Sequence, residues 1–331
     1  MKYSFIITIY NRPDELDELL NSLVSQTYED TFEVVVIEDG SSIPSKEVCE
    51  KYNDDLSITY LPKPNTGPGD SRNYGMRHAQ HDYFLILDSD CILPPHYLEA
   101  VDDYLQTHYV DCFGGPDTAT DDFTDIQKAI NYTMTSLLTT GGIRGSQKRI
   151  QRFEPRSFNM GLSRKAFEAT GGFGKIHPGE DPDLVIRLWK QGFDTAFIPT
   201  AFVFHKRRIS WAKFRTQVSK FGQTRAILNH WHPESRKFTF WLPTCFTLGL
   251  CGALLLLIFG RIEPLLVYVC YFILIAWDSA RENRSVKIGL LSVWALLVQF
   301  FSYGWGFLKA TLKIAFSKKP MEQLFPHLFF N

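Results

Sequence analysis

Along the first 200 residues, short apolar runs alternate with amphipathic stretches. Residues 4–9 are apolar and β-branched and predict a strand. After a break at Asn11-Arg12-Pro13, residues 14–26 set Leu16, Leu19, Leu20 and Leu23 on one helical face. Residues 33–37 (EVVVI) predict a second strand, 57–61 a third and 83–87 (YFLIL) a fourth, with a helix expected over 71–80. Further on, the pattern predicts a helix over 184–190 and a strand over 195–204. Apolar strands separated by helices call for an α/β fold with a mostly parallel sheet covered on both faces. Ligands on such sheets sit at the carboxyl ends of strands, where Glu38-Asp39 and Asp88-Ser89-Asp90 both fall.

The pattern changes near residue 238. Residues 238–260 carry no charge, long enough to cross a bilayer core of about 30 Å at about 1.5 Å per residue. Residues 288–308 form a second uncharged stretch, and between them 264–280 is strongly apolar up to Trp277 before closing at Asp278. The expected division is an α/β domain over 1–237 followed by C-terminal transmembrane helices over 238–331. A cytoplasmic body places Arg281, Arg284 and Lys287 inside, as the positive-inside rule prefers. The same count leaves Lys309, Lys313, Lys318 and Lys319 outside, so the number of crossings stays open.

Length and charge sharpen this division. A chain of 331 residues is enough for about two domains of roughly 150 residues. The net charge of −1 conceals 18 Lys and Arg against 31 Asp and Glu in residues 1–204, and 17 against 5 in residues 205–331. An acidic body with a basic tail argues against a nucleic-acid binder and for approach to an anionic surface through the tail. Six cysteines without a CxxC pair make neither a disulfide framework nor a zinc site, and fit a body in the reducing cytosol. The apolar run from Tyr3 to Tyr10 is too short for a secretory leader and reads better as the first strand.

Asp88 and Asp90, two carboxylates at i and i+2 past a buried strand, suit a hard divalent cation; a plain turn before Pro94-Pro95 is the alternative. The glycine-bearing stretch 65–73 opens a helix whose free N–H groups, with Arg72, suit a diphosphate. It is not a Walker loop, and no GxGxxG follows the first strand. Asp181, next to Pro182 at a helix start, is either an N-cap or a general base facing a cleft. His205, followed by Lys206-Arg207-Arg208, is either part of a solvated basic face near the membrane or a ligand to metal or phosphate. Lys148, Arg149, Arg152 and Arg156 form either a solvated loop or a cradle for a pyrophosphate group.

The ordered set Ile9-Tyr10-Asn11-Arg12, Glu38-Asp39-Gly40-Ser41-Ser42, Ser71-Arg72-Asn73, Asp88-Ser89-Asp90, Phe158-Asn159-Met160-Gly161, Gly171-Gly172-Phe173 and Glu180-Asp181 resembles family 2 glycosyltransferases of GT-A fold. The likeness covers about residues 1–230. The tail is similar to that of membrane-anchored bacterial members that build surface polysaccharides, of the succinoglycan-synthesis glucosyltransferase type. The resemblance implies that Asp39 holds the nucleobase, with Tyr10, Asn11 and Arg12 lining the same pocket and Arg72 near the nucleotide. It further implies that Asp88 and Asp90 are the DxD pair, with Asp90 on Mn2+ or Mg2+ and Asp88 on the ribose or the metal. His205 falls where some members place a third metal ligand. Asp181 matches the catalytic base and Glu180 stands beside it. Processive members carry a Gln-x-x-Arg-Trp motif, whereas residues 217–226 here read QVSKFGQTRA, which speaks against polymer threading.

The implied activity is an inverting, metal-dependent transfer from a nucleotide-sugar, with uridine as the expected base. The expected acceptor is a lipid-linked saccharide at the cytoplasmic face of the inner membrane, in assembly of a surface glycan. Residues 114–160, between the metal motif and the base, are where this fold usually shapes the acceptor site. Two alternatives remain at this stage. One is an enzyme acting directly on polyprenyl phosphate or making a polymer. The other is a non-catalytic, membrane-anchored nucleotide-sugar-binding subunit.

Overall fold

The apolar runs of the first 90 residues become adjacent strands. These are β1 (Tyr3–Ile9), β2 (Glu33–Asp39), β3 (Ser57–Lys63) and β4 (Tyr83–Asp88). The chain is seen here in a computed structural model that describes residues 1–118, 123–140, 152–205 and 210–330. Downstream come β5 (Cys91–Ile92), β6 (Cys112–Gly114), β7 (Asp117–Thr118), β8 (Asn159–Ser163), β9 (Thr195–Phe197) and β10 (Val203–His205). A seven-stranded sheet runs β3-β2-β1-β4-β8-β6-β9, and a small sheet runs β5-β10-β7. The first four strands are mutually parallel, and β8 inserts antiparallel between β4 and β6. The expected single strand over 195–204 is two strands in different sheets. Pro199 has no N–H to give a ladder, and the Ala201 N–H turns back to the Ile198 carbonyl at 3.2 Å.

Burial on both sides explains why these strands are apolar throughout. One face of the sheet (Phe5, Ile7, Val34, Val36, Leu85, Leu87) packs on Leu16, Leu19, Leu20 and Leu23 of α1 (Pro13–Val24). The chain continues through α2 (Lys46–Lys51), α3 (Pro68–His78) and α4 (Tyr97–Thr107), and Leu98 and Val101 of α4 join the same layer. Then come α5 (Asp125–Thr135), α6 (Leu137–Thr140), α7 (Arg164–Thr170) and α8 (Glu180–Lys190). The other face (Ile6, Val35, Ile37, Phe84, Ile86) packs on Met76 of α3, Phe167 of α7 and Leu184, Val185 and Leu188 of α8. Alternate residues of one strand thus enter opposite cores.

The chain forms two compact units. The first comprises Met1–Thr120, Gln147–Lys206 and Phe329–Asn331, and the second Asp121–Ser146 and Arg207–Leu328. The second unit contains α9 (Trp211–Trp231), α10 (Leu242–Ile258), α11 (Glu263–Asn283), α12 (Val286–Ala315) and the short α13 (Met321–Leu324). Three stretches, Phe238–Ile258, Glu263–Asn283 and Val286–Ala315, are long and apolar enough to cross a membrane, with mean hydropathy 2.0, 1.4 and 1.6. Large apolar side chains such as Ile258, Val267, Ile273 and Leu290 on these stretches point outward. Helix α9 runs along α12, and Gly222 is required there because a Cβ would meet the Tyr303 carbonyl.

Within this second unit α5 and α6 pack on the apolar helices. The Tyr132 hydroxyl donates to Asp278 Oδ2 at 2.6 Å, and the Tyr271 hydroxyl to the Leu138 carbonyl at 2.8 Å. Gln299 Nε2 donates to the Thr133 carbonyl at 3.3 Å. Residues 125–140, part of the stretch expected to shape the acceptor site, are therefore helices seated on the candidate membrane spans.

Candidate active site

The register of β2-β1-β4 brings three loops to one edge. Ile9 lies opposite Glu38, and Thr8 opposite Asp88, so the residues that follow each strand emerge at the same level. Asn11 adopts the left-handed conformation (φ 55°), which asparagine tolerates better than most residues. Its Oδ1 accepts from the Ser42 and Ile43 amides at 2.7 and 3.0 Å, and its own N–H donates to Ser41 Oγ at 2.8 Å. Asn11 therefore staples the turn after β2. Glu38, buried behind that turn, accepts from the Ser45 amide at 2.7 Å and the Tyr60 hydroxyl at 3.1 Å. Tyr10 is half-exposed at the same edge, at 53%.

Asp39 closes the next loop onto itself. Its Oδ1 accepts from Lys63 Nζ and the Thr66 amide, both at 3.0 Å, and its Oδ2 from the Gly67 amide at 3.1 Å. Lys63 also reaches Ser71 Oγ at 3.1 Å and Asp70 Oδ2 at 3.2 Å. Sequence reasoning missed Lys63. The signal available was a cation at the carboxyl end of the strand next to β2, where an anionic side chain needs a partner.

Arg72 is the hinge of the site. It is 4% exposed and stands over the Phe173 ring at 5.3 Å. One terminal nitrogen donates to Asp88 Oδ1 at 2.8 Å and the other to Glu180 Oε1 at 3.2 Å. Burial works against its charge, but Asp88, Glu180 and Asp181 outweigh it and hold the guanidinium firmly protonated. Arg72 thus ties the end of β4 to the start of α8, two features 92 residues apart in sequence.

Glu180 and Asp181 share a helix start yet sit in opposite electrostatic situations. Glu180 is 4% exposed and accepts from Arg72, and His177 Nδ1 lies 3.0 Å from the same oxygen. Burial disfavours its charge, but His177 and Arg72 more than offset this and pull the carboxyl down to about 2. The same pairing raises His177 above its usual value in spite of burial. For Asp181 the balance is reversed. Burial, then the negative charge of Glu180, holds its carboxyl above the ordinary carboxylate value, with Arg72, Arg156 and Ser157 opposing. Asp183, two residues on, is paired with Arg187 at 2.9 Å. The cap position of α8 is Gly179, and Asp181 is the second residue of the helix, within its first turn. Asp181 Oδ1 is buried with no hydrogen-bond partner. Asp181 therefore does not cap the helix, and its Oδ1 has room to accept a hydrogen bond or a proton.

Arg12 lies at the rim, 3.0 Å from Glu15 and 3.5 Å from Asp90. Asp88 and Asp90 offer hard carboxylate oxygens of the kind Mg2+ and Mn2+ take, and Arg72 engages only Oδ1 of Asp88. Among the described residues no group of three or more His, Cys, Asp or Glu gathers. Two carboxylates together with substrate phosphates are nevertheless a usual Mg2+ arrangement, so the donor set fits. Backbone pairing puts His205 opposite Cys91, the residue after Asp90; its side chain lies outside what is described. Of the four cations expected at the acceptor, Arg152 pairs with Asp194 at 3.4 Å and Arg156 with Glu154 at 3.4 Å. Lys148 and Arg149 lie outside the described residues.

Parallel strands β3-β2-β1-β4, with an acidic pair after β4 tied through a buried arginine to a second acidic pair on α8, define the GT-A class of α/β folds. The chain belongs to glycosyl transferase family 2, whose profile matches residues 4–171, just over half of the sequence. The poly(ribitol-phosphate) beta-N-acetylglucosaminyltransferase TarS of Staphylococcus aureus is 34% identical over 114 residues, 34% of this chain and 20% of TarS. Glycosyltransferase GlyA of Streptococcus pneumoniae is 33% identical over 101 residues, 30% of this chain and 14% of GlyA. The chain thus matches a fifth or less of the length of these curated relatives. Among solved structures, the mannosyltransferase PcManGT of Pyrobaculum calidifontis, in complex with GDP-Man and Mn2+, aligns with a TM-score of 0.64 at 16% identity. That alignment covers 92% of this chain and 87% of PcManGT. The TarS 1–349 complex with UDP aligns with a TM-score of 0.50 at 18% identity, covering 96% and 93%.

Proposed function

We propose that this chain is an inverting, metal-dependent glycosyltransferase. It moves a sugar from a nucleoside-diphosphate sugar, with uridine as the expected base, to a lipid-linked saccharide at the cytoplasmic face of the inner membrane. The observation that carries the reading is the contrast on α8: a doubly paired Glu180 beside Asp181, whose buried Oδ1 has no hydrogen-bond partner and whose carboxyl is held above its ordinary value. In support, PcManGT was solved with GDP-Man and Mn2+ and TarS with UDP. Asp39, Tyr10 and the stapled turn after β2 form the nucleobase side, with the exposed Tyr10 ring offering an apolar face.

The chemistry follows from charge. As the bond between the anomeric carbon and the diphosphate breaks, negative charge grows on the leaving oxygen. Mn2+ or Mg2+ held by Asp88 and Asp90, with His205 as a further candidate ligand, would neutralise that charge. Arg72 does not reach outward; it holds Asp88 in place and sets the field around Glu180. The acceptor hydroxyl passes its proton to Asp181 Oδ1 while its oxygen bonds the anomeric carbon from the face opposite the leaving group, which gives inversion. A carboxylate with a raised pKa takes that proton more readily at neutral pH than an ordinary one. Arg281, Arg284 and Lys287 favour the cytoplasmic side for the catalytic body.

Nucleotide release from the full chain in detergent tests the reading, with UDP- and GDP-sugars, Mn2+ and a polar lipid extract. Release that requires donor, metal and lipid together is the expected result. Release that ignores the lipid fraction and responds only to soluble sugars would remove the lipid-linked acceptor. Binding of donor with no release in any lipid fraction would favour the non-catalytic subunit.

A further inference from the structure

Phe329 and Phe330 belong to the first compact unit and lie across the loop that carries His177. Phe329 forms an antiparallel bridge with Ile176, and the Phe330 N–H donates to the Lys175 carbonyl at 3.2 Å. The Phe330 ring stands 5.8 Å from the His177 ring, centroid to centroid, at 55°. On its other side the ring lies against Gly67. A Cβ at that position would run into the ring, and the φ of +90° there is one that L side chains rarely adopt. A cavity of about 270 Å³ opens beside this contact, lined by Asp70, Asn73, Phe173 and Phe330 among others.

What the ring touches gives it meaning. Gly67 donates to Asp39, and His177 pairs with Glu180, the neighbour of Asp181. One side chain therefore presses on the loop beside the proposed nucleobase residue and on the loop that leads into the proposed base. We propose that Phe330 is a positioning residue: its ring clamps the 65–67 loop to the 174–179 loop, so that donor binding and the setting of Glu180-Asp181 are ordered together. A ring suits this task because it fills space on both sides with only two side-chain torsions to fix. The kinetic consequence rests on the function proposed above; the structural consequence does not.

The test compares the full chain in detergent with Phe330→Ala and the milder Phe330→Leu. Hydrogen exchange is followed in peptides spanning 64–70 and 172–181, with nucleotide binding and turnover measured on the same samples. In Phe330→Ala both peptides should exchange at least about tenfold faster together, while β1 and β4 stay protected, because the Thr66 and Gly67 amides lose their backing. Nucleotide Kd should rise several-fold and kcat should fall as well, with Phe330→Leu recovering most of both. Unchanged exchange in the 64–70 peptide would overturn the clamp, and so would a fall in Tm with Kd and kcat intact. If Phe330→Ala does not fold, the same comparison is made with Phe330→Leu, whose smaller changes must still appear in both peptides. A wild-type chain that binds no nucleotide would overturn the proposed function, and the exchange data would still decide the clamp.

Discussion

The two compact units differ in the polar groups they bury. In the first unit charged groups are buried among neutral ones near the ends of β2 and β4 and the start of α8: Asp39, Arg72 and Glu180 are each 5% exposed or less. Beside them Asp181 Oδ1 is buried without a hydrogen-bond partner. In the second unit the buried polar groups are mainly neutral hydroxyls that close on neighbouring helices. Thr244 donates to the Gly304 carbonyl at 3.0 Å, Thr247 to the Phe300 carbonyl at 3.2 Å, and Ser279 pairs with Ser292 at 2.7 Å. Charge is kept where chemistry needs a field, and hydroxyls are kept where an apolar medium penalises any unmet donor.

The largest expected effect comes from the Asp181 carboxylate. Asp181→Asn should lower turnover by at least about 100-fold, the usual scale for a general base. Its thermal midpoint at neutral pH should stay level or rise. Because burial and Glu180 raise the Asp181 pKa in the fold, its ionised form costs stability once pH climbs through that raised value. A drop in Tm equal to that of an ordinary core substitution would place Asp181 among structural residues. Next in size is Arg72→Met, which strands Glu180 and Asp88. Breaking a buried pair costs about 3–5 kcal/mol, and the lower end applies here because Asp88 is 35% exposed. Urea unfolding checks this.

A third change sharpens the electrostatic half of the comparison. Glu180→Gln removes the negative charge that raises Asp181 and leaves Arg72 pulling the other way. The acid limb of the kcat/KM profile should therefore move to lower pH, and a shift to higher pH would contradict the account. For Glu180 itself the folded pKa is depressed, so the stability it contributes is present above its ordinary value and is lost as pH falls toward about 2. The smallest effect belongs to the second unit. Ser292→Ala should cost less than about 1 kcal/mol, since interhelical hydrogen bonds in apolar surroundings average about 0.6. Unfolding in mixed detergent measures it.

What could be read from the sequence follows the range of the forces involved. The strands at 33–37 and 83–87 were legible because burial on both faces writes an unbroken apolar run. Asp88, Asp90 and Asp181 stood out because acidic residues at strand and helix ends are conspicuous beside such runs. The split of 195–204 into β9 and β10 was not legible, since their partners β6 and β5 lie more than 80 residues upstream. The sequence around Arg72 suggests a diphosphate ligand, because nothing local says that Asp88 and Glu180 will both reach it. Lys63, His177 and Phe330 carry no motif at all; their roles come only from the loops that the fold brings to them.

Asp181 is the residue on which the proposed chemistry depends most directly. Turnover and nucleotide binding should be measured on the same preparations of wild type and Asp181→Asn, with Mn2+ and the lipid fraction that supports wild-type release. The predicted result is nucleotide affinity within about twofold of wild type and turnover at least about 100-fold lower. Turnover close to wild type, or affinity and turnover lost together, would contradict the assignment of Asp181 as the base.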